Sequence, residues 1–183
     1  TLEDQSISGV NIATNDSDDS ASLIYSLTAQ PTAGAATITA DGVFSYTPAA
    51  DFNGFVIVNV QVCDNQNACS SQTVNITVSA VNDAPIALPF SASTNEDQSV
   101  TGVINTASDV DSPNLIYSTL SSGAGGNLSI STNGNFTFMP AINFNGVFTA
   151  QYRVCDNNSL CSIASFSITV IPVNDFPIIN SET

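Results

Sequence analysis

The segment VIVNVQV, residues 56–62, decides the fold of this 183-residue chain. Valine occupies every second position, which is the period of a half-buried β-strand and not the period of about 3.6 residues of a helix. The same alternation of apolar residues recurs at residues 74–78, 148–154 and 166–170. Turn signals of the Asn-Gly and Asp-Gly type separate such segments. The pattern therefore predicts an all-β chain without amphipathic helices.

The chain contains two copies of one sequence unit. The segment LEDQSISGV (residues 2–10) matches NEDQSVTGV (residues 95–103), and VCDNQNACS (residues 62–70) matches VCDNNSLCS (residues 154–162). The offset between the copies is 93 residues at the first match and 92 residues at the second. About seven short strands in each copy of about ninety residues predict two tandem antiparallel β-sandwich domains of the immunoglobulin type.

The repeat also sets the predicted domain boundaries. The first domain is expected to span residues 1–80 and the second residues 81–173, and residues 174–183 are expected to begin the next linker. The first copy has no counterpart of IALPFSAS (residues 86–93), so we expect it to begin inside a repeat.

The composition excludes several classes of function. Sixteen acidic residues stand against one basic residue, Arg153, which gives a formal net charge of −15 and excludes a nucleic acid as partner. The absence of His and Lys excludes histidine triads, His-ligated zinc and Schiff-base chemistry. No apolar run approaches the roughly 20 residues of a membrane helix, so membrane insertion is not expected. Paired carboxylates can serve a glycosidase, but these cluster at a predicted domain junction, and no enzyme activity is expected.

Four cysteines form two pairs with the same spacing. Cys63 and Cys69 are separated by five residues, as are Cys155 and Cys161, and each pair flanks a polar loop between two predicted strands. We favour disulfides across the two hairpins, with two pairs of free buried thiols as the alternative. Disulfides persist in oxidising compartments, so this interpretation predicts a secreted protein.

Most acidic residues recur at matching positions in the two copies. Descent from one ancestral repeat would preserve any single pair as an ordinary surface charge, but the complete set indicates a shared site. The pairs are Glu3 with Glu96, Asp4 with Asp97, Asp16 with Asp109, Asp18 with Asp111, Asp64 with Asp156, and Asp83 with Asp175.

Several of these residues are predicted to meet at the joint between the two domains. The second domain is expected to present Asp109, Asp111 and Asp156 in loops at its N-terminal end. The linker VNDAP (residues 81–85) enters this end, and a turn of the first domain, residues 51–53, is expected to face the linker. Many carboxylates are therefore predicted to lie around one joint.

Such a cluster needs a counter-charge. Two carboxylates about 4 Å apart repel by roughly 1 kcal/mol in water and by about 4 kcal/mol at an effective dielectric constant of about 20. Because the chain has one Arg and no Lys, a hard divalent cation is the expected counter-charge. Calcium fits best, since it takes about six to eight oxygen ligands in flexible geometry, whereas magnesium requires a stricter octahedron.

The order of these motifs resembles the tandem cadherin-like repeats of large bacterial surface proteins and adhesins, over nearly the whole chain. The linker VND-x-P and the segments NEDQSVTG, DVDSPNLIYS, NGNFTF, NFNG and VCDN carry the resemblance. It implies a cadherin-like β-sandwich fold, an extracellular or bacterial cell-surface location, and calcium at each joint. By position it assigns the ligands of the joint to Glu3, Asp51, Asn53, Asn82, Asp83, Asp109, Asp111 and Asp156.

The resemblance implies a structural and adhesive module in which calcium rigidifies the joint between neighbouring repeats of the same chain. A carbohydrate-binding module attached to a polysaccharide-active protein or an adhesin is the alternative. The lack of Trp and the core positions of the four Tyr argue against sugar binding. Adhesion between identical chains is a third hypothesis, which the net charge disfavours unless calcium bridges the chains. The expected partners are therefore neighbouring repeats and a protein or polysaccharide ligand.

Overall fold

The computed structural model describes residues 1–14, 16–18 and 22–176. The chain divides into two units, Thr1–Val81 and Asn82–Thr183, so the division falls inside the VNDAP segment. The linker residues predicted from Pro177 onward lie outside the described residues. No helix within the described ranges has the length and apolarity needed to cross a membrane.

Unit 1 contains only strands as regular secondary structure in its described part. Its strands are β1 (Ile7–Asn11), β2 (Ile24–Leu27), β3 (Ala35–Ile38), β4 (Val43–Thr47), β5 (Gly54–Cys63) and β6 (Cys69–Val78). They form two antiparallel sheets of three strands, with the orders β1-β4-β3 and β2-β5-β6. These sheets are the two layers of a β-sandwich.

The core of unit 1 follows the alternation seen in the sequence. Val56, Val58 and Val60 of β5 are buried, and Phe44 and Tyr46 of β4 are buried as well. The β5 side chains between the buried valines are exposed. Alternate side chains of β5 therefore point into the core, as the alternation of apolar residues in the sequence predicts.

Unit 2 repeats this sandwich and extends it. Its strands are β7 (Ile86–Ala87), β8 (Phe90–Asn95), β9 (Val100–Val103), β10 (Ala107–Ser108), β11 (Ile116–Ser122), β12 (Gly126–Ile130), β13 (Asn135–Pro140), β14 (Gly146–Cys155) and β15 (Cys161–Ile171). One sheet has the order β11-β14-β15-β8, a second has the order β12-β13-β9, and β7 pairs with β10. Strand β8 runs parallel to β15, whereas the other strand pairs are antiparallel.

The core of unit 2 is more aromatic than that of unit 1. Phe138, Phe148, Phe166 and Tyr152 are fully buried, and Phe136 is 3% exposed. Phe148 and Tyr152 occupy positions that hold Val56 and Val60 in the first copy. The two copies therefore keep the pattern of burial while differing in the volume of the side chains that fill it.

A disulfide closes each of the hairpins β5-β6 and β14-β15, at the loop that carries Asp64 or Asp156. Cys63 is bonded to Cys69 and Cys155 is bonded to Cys161, with a Cα–Cα distance of 4.1 Å in each pair. Each pair is the last matched pair of its hairpin, in β5-β6 and in β14-β15. The chain contains no free cysteine. The predicted disulfides are confirmed, and the alternative of free thiols was wrong.

The two units differ in the number of strands. The sequence predicts about seven strands in each copy, whereas the described residues form six strands in unit 1 and nine in unit 2. The extra strands of unit 2 include β7 and β8, which contain all of residues 86–93 except Leu88 and Pro89. The first copy has no counterpart of these residues, so its described part lacks both strands.

Candidate metal ligands at the ends of the units

Five of the predicted ligands lie together at the end of unit 2 where its chain begins. We call them the acidic end of unit 2: Asn82, Asp83, Asp109, Asp111 and Asp156. Asn82 and Asp83 precede β7, Asp109 and Asp111 follow β10, and Asp156 follows β14. Hydrogen bonds connect all five residues into one network. The structure thus brings together, within one unit, five of the residues that the sequence predicts as ligands.

Asp156 is the most buried member of the acidic end, with 2% of its surface exposed. Its Oδ2 accepts a hydrogen bond of 2.5 Å from the Asn82 side-chain amide, and its Oδ1 accepts bonds of 2.8 Å from the backbone N–H groups of Asn158 and Leu160. The Asn82 bond and those backbone donors lower the pKa of Asp156 below its ordinary value, although burial acts in the opposite direction. Asp156 is therefore held as a carboxylate.

Asp109 has one carboxylate oxygen without a hydrogen-bond partner. Its Oδ1 accepts bonds from the backbone N–H groups of Asp111, at 2.9 Å, and Ser112, at 2.7 Å. Its Oδ2 is buried and no hydrogen bond to it is found in the structure. Burying an acceptor without a partner is costly, and the cost is larger for a charged group. Among the described residues this oxygen thus has no donor, and it is open to a water molecule or a cation.

Asn82 and Asp111 fix the segment that enters unit 2. The Asp111 Oδ2 accepts a bond of 2.8 Å from the backbone N–H of Asp83, and the Asn82 amide also donates to the Asp83 carbonyl at 3.0 Å. The Asn158 side chain donates to Asn82 Oδ1. The sequence reasoning missed Asn158, because its counterpart in the first copy is Gln66 and the position carries no charge.

In unit 1, Glu3 holds Val81, the residue with which that unit ends. Glu3 is 3% exposed; its Oε1 accepts a hydrogen bond from the Val81 backbone N–H, and its Oε2 accepts one of 3.4 Å from the Asn53 amide. The backbone N–H of Asp51 donates to Asp4 Oδ1 at 3.2 Å. The Asp4 carboxylate thus positions the turn that carries Asp51, a role that the sequence reasoning did not assign.

The corresponding end of unit 2 has the same arrangement. Glu96 is 5% exposed, and it accepts bonds from the backbone N–H of Val173, at 2.5 Å, and from the amide of Asn145, at 3.1 Å. Asp97 accepts a bond of 3.0 Å from the Asn143 backbone N–H. Because two segments about ninety residues apart build the same contacts, the recurring Glu-Asp pair has a positional role in both copies.

Three acidic residues of unit 1 occupy the positions that match Asp109, Asp111 and Asp156 of unit 2. Asp16, Asp18 and Asp64 line a cavity of about 250 Å³. Asp64 Oδ1 accepts two backbone bonds of 2.8 Å, as Asp156 does. Asp16 differs from Asp109, because its Oδ2 accepts a bond of 2.5 Å from the Tyr25 hydroxyl. Burial, together with the hydrogen bond to Asp16 and its charge, raises the pKa of Tyr25 to about 12.

The side-chain oxygens of the acidic end suit a hard cation. The atoms that could bind a metal are carboxylate or amide oxygens, and none of the five residues has a sulfur or imidazole ligand. A carboxylate has about four lone-pair sites, so the hydrogen bonds to Asp111 and Asp156 leave acceptor capacity for an ion. The buried Asp109 Oδ2 is an acceptor without a donor. The residues therefore fit a calcium ion by their chemistry.

Comparison with known proteins identifies the type of domain. A family profile described as bacterial Ig domain matches residues 1–77 and 82–169. Extracellular cadherin domains 1–5 of protocadherin gamma B2 match with a TM-score of 0.53 and 15% identity, covering 95% of this chain and 38% of that chain. This likeness shows a cadherin-like fold, and the predicted fold class, tandem all-β sandwiches, is confirmed.

Two further solved structures match with lower TM-scores. Domains EC1-2 of human mucin-like protocadherin match with a TM-score of 0.46 and 20% identity, covering 84% of this chain and 86% of that chain. An endo-fucoidan hydrolase from glycoside hydrolase family 107 matches with a TM-score of 0.42 and 17% identity, covering 83% of this chain and 24% of that chain. The chain thus spans about a quarter of the length of that hydrolase. A search of the curated proteins finds no significant match.

Proposed function

Because this chain belongs to the bacterial Ig domain family, with one match in each unit, we propose that it is a calcium-binding repeat module of an extracellular bacterial surface protein. Its role is structural and adhesive: calcium rigidifies the joint between successive repeats, and the repeats hold the adhesive parts of the protein away from the cell. The buried Asp109 oxygen without a hydrogen-bond donor is the observation that carries this proposal.

The proposed ligands come from both units. Unit 2 supplies its acidic end, and unit 1 supplies Glu3, Asp51 and Asn53. Glu3 is 3% exposed and accepts a hydrogen bond from Val81, the last residue of unit 1. The side-chain amide of Asn82, which begins unit 2, donates to Asp156. These contacts support the proposal because the ligands are held in place before any ion binds, which lowers the entropic cost of binding.

Calcium supplies positive charge in this arrangement. It offsets the mutual repulsion of the carboxylates, which the single Arg of the chain cannot do for each joint. Extracellular calcium modules bind with dissociation constants of about 10⁻⁴ to 10⁻³ M. At ten times the dissociation constant, the ion stabilises the folded module by about 1.4 kcal/mol per site.

Small-angle X-ray scattering with and without calcium tests the structural role. In about 10 mM calcium chloride, which is about ten times the weakest dissociation constant expected, we expect a rigid, extended particle. In EDTA we expect a smaller maximum dimension and a profile typical of a flexible chain. Magnesium chloride at the same concentration controls for simple screening and should leave the EDTA profile nearly unchanged. Identical profiles in calcium and EDTA would rule out a joint that calcium rigidifies.

The alternative of carbohydrate binding finds no comparable support. Stacking on a sugar ring requires an exposed aromatic side chain, yet the four Tyr are all at most 8% exposed. The exposed phenylalanines Phe55 and Phe176 are single residues in different units. The likeness to an endo-fucoidan hydrolase concerns a quarter of that enzyme and does not extend its activity to this chain. We therefore propose no catalytic role.

A further inference from the structure

The three residues of the VND motif do not all belong to the same unit. The motif occurs at residues 81–83 and again at residues 173–175. In the first occurrence, unit 1 ends at Val81 and unit 2 begins at Asn82. The hydrogen bonds of the motif show how firmly each unit holds its own part.

Unit 1 holds Val81 through Glu3. The Glu3 backbone N–H donates to the Ser79 carbonyl at 3.0 Å, and the Glu3 carboxylate accepts a hydrogen bond from the Val81 N–H. The carboxylate thus continues, two residues further along, the pairing that the Glu3 backbone begins. The Asn53 amide donates to the second oxygen of this carboxylate. All of these residues lie in unit 1.

A segment in the interior of the chain builds the same contacts in unit 2. The Glu96 N–H donates to the Ile171 carbonyl at 2.8 Å, and the Glu96 carboxylate accepts a bond of 2.5 Å from the Val173 N–H. The Asn145 amide donates to the other carboxylate oxygen at 3.1 Å. In both copies, therefore, the Val of the motif is bonded to the sandwich that precedes it.

Unit 2 holds the next two residues of the first motif. The Asn82 side-chain amide donates to Asp156, and the Asp83 N–H donates to Asp111 Oδ2 at 2.8 Å. The Asn158 side chain donates to Asn82 Oδ1. Both the side chain of Asn82 and the peptide that follows it are thus bonded to unit 2.

We propose that bending between the units is confined to a single link, the Val81–Asn82 peptide with the torsions next to it. These torsions are φ and ψ of Val81 and φ of Asn82, because the atoms on either side are bonded to one unit or the other. The peptide bond itself is trans and planar. The Val81 side chain also keeps this residue out of the backbone conformations that are open to glycine.

Such a link has two consequences. Few torsions need to be fixed when the joint becomes rigid, so little conformational entropy is lost. The two fixed points also exist without calcium, because protein atoms alone make each contact. The VND motif then recurs because its Val is bonded to the preceding unit and its Asn and Asp to the following one.

Hydrogen exchange of the backbone amides, followed by NMR on the full chain in EDTA, tests the two fixed points. We expect the Val81 and Asp83 amides to exchange at least roughly tenfold more slowly than unbonded amides. Glu3→Ala should remove the protection of Val81 and keep that of Asp83, whereas Asp111→Ala should do the reverse. Glu3→Gln keeps an acceptor oxygen, so it should preserve most of the protection of Val81.

The remaining amides show whether a variant stays folded. If Glu3→Ala also removes the protection of the β5 amides, Glu96→Ala decides, because it should release the Val173 amide while β15 stays protected. The proposal is overturned if the Val81 and Asp83 amides exchange as fast as unbonded amides. It is also overturned if one alanine variant releases both amides while the strands keep their protection.

Two glycine variants locate the bending itself. Val81→Gly keeps the N–H that bonds to Glu3 but frees the torsions of the link, so scattering in EDTA should show a more flexible particle than the wild type. Ala84→Gly is the matched control, because Ala84 is exposed and follows the fixed Asp83 N–H. An equal gain in flexibility from both variants would overturn the proposal. Since every sample contains EDTA, failure of the calcium proposal would leave these outcomes unchanged.

Discussion

An Asp109→Asn variant is expected to be more stable than the wild-type chain in EDTA and to gain less stability from calcium. The asparagine Oδ1 can keep both bonds that Asp109 accepts from Asp111 and Ser112. Loss of this partly buried charge relieves repulsion within the acidic end, which we expect to be worth roughly 1 kcal/mol without calcium. With calcium, loss of a charged ligand should lower the affinity at least tenfold, or by about 1.4 kcal/mol.

Thermal unfolding in EDTA and in calcium measures both effects on one pair of proteins. Asp41→Asn is the matched control, because it removes the same charge at an exposed position where the second copy already has Asn133. The control should leave the calcium-dependent shift intact. An Asp109→Asn chain that gains as much stability from calcium as the wild type would exclude Asp109 as a ligand.

Replacing both Cys155 and Cys161 with Ala is expected to destabilise unit 2 and to weaken calcium binding. The disulfide closes a short loop, so by loop entropy its loss should destabilise unit 2 by roughly 2 kcal/mol. In a domain of this size that corresponds to a decrease in Tm of about 10 °C. Asp156 follows Cys155 directly and accepts two bonds from the loop that the disulfide closes, so calcium affinity should also fall.

The equivalent change in unit 1 separates stability from ligand positioning. Replacing both Cys63 and Cys69 with Ala should lower the stability of unit 1 by a similar amount, because the loop has the same length. It should leave the calcium affinity of the acidic end of unit 2 unchanged. If both double variants lose calcium affinity equally, the Cys155–Cys161 disulfide has no specific role in presenting Asp156.

The fold could be predicted because its determinants are local. The alternating valines of β5 specify a strand with one buried face, and the Asn-Gly and Asp-Gly turns specify where strands end. The disulfides were predictable for the same reason, since Cys63 and Cys69 flank one hairpin. The nine strands of unit 2 could not be counted from local patterns, because the short strand β7 pairs with β10, about twenty residues further along the chain.

The candidate site could be predicted only at the level of residue position. The repeat placed Asp109, Asp111 and Asp156 in neighbouring loops. It could not show which of their carboxylate oxygens accept hydrogen bonds from backbone N–H groups. The bond of Asp16 to Tyr25 and the contact of Asn158 with Asn82 depend on side-chain orientations that no spacing rule specifies. Whether the eight assigned residues bind calcium together stays a prediction.

Isothermal titration calorimetry of the wild-type chain with calcium chloride tests the calcium proposal most directly. We expect saturable binding with a dissociation constant of about 10⁻⁴ to 10⁻³ M, and no comparable saturation with magnesium chloride. Injection heats that show no saturation up to about 10 mM calcium, and that equal the injection heats for magnesium, would contradict the proposal that these carboxylates form a calcium site.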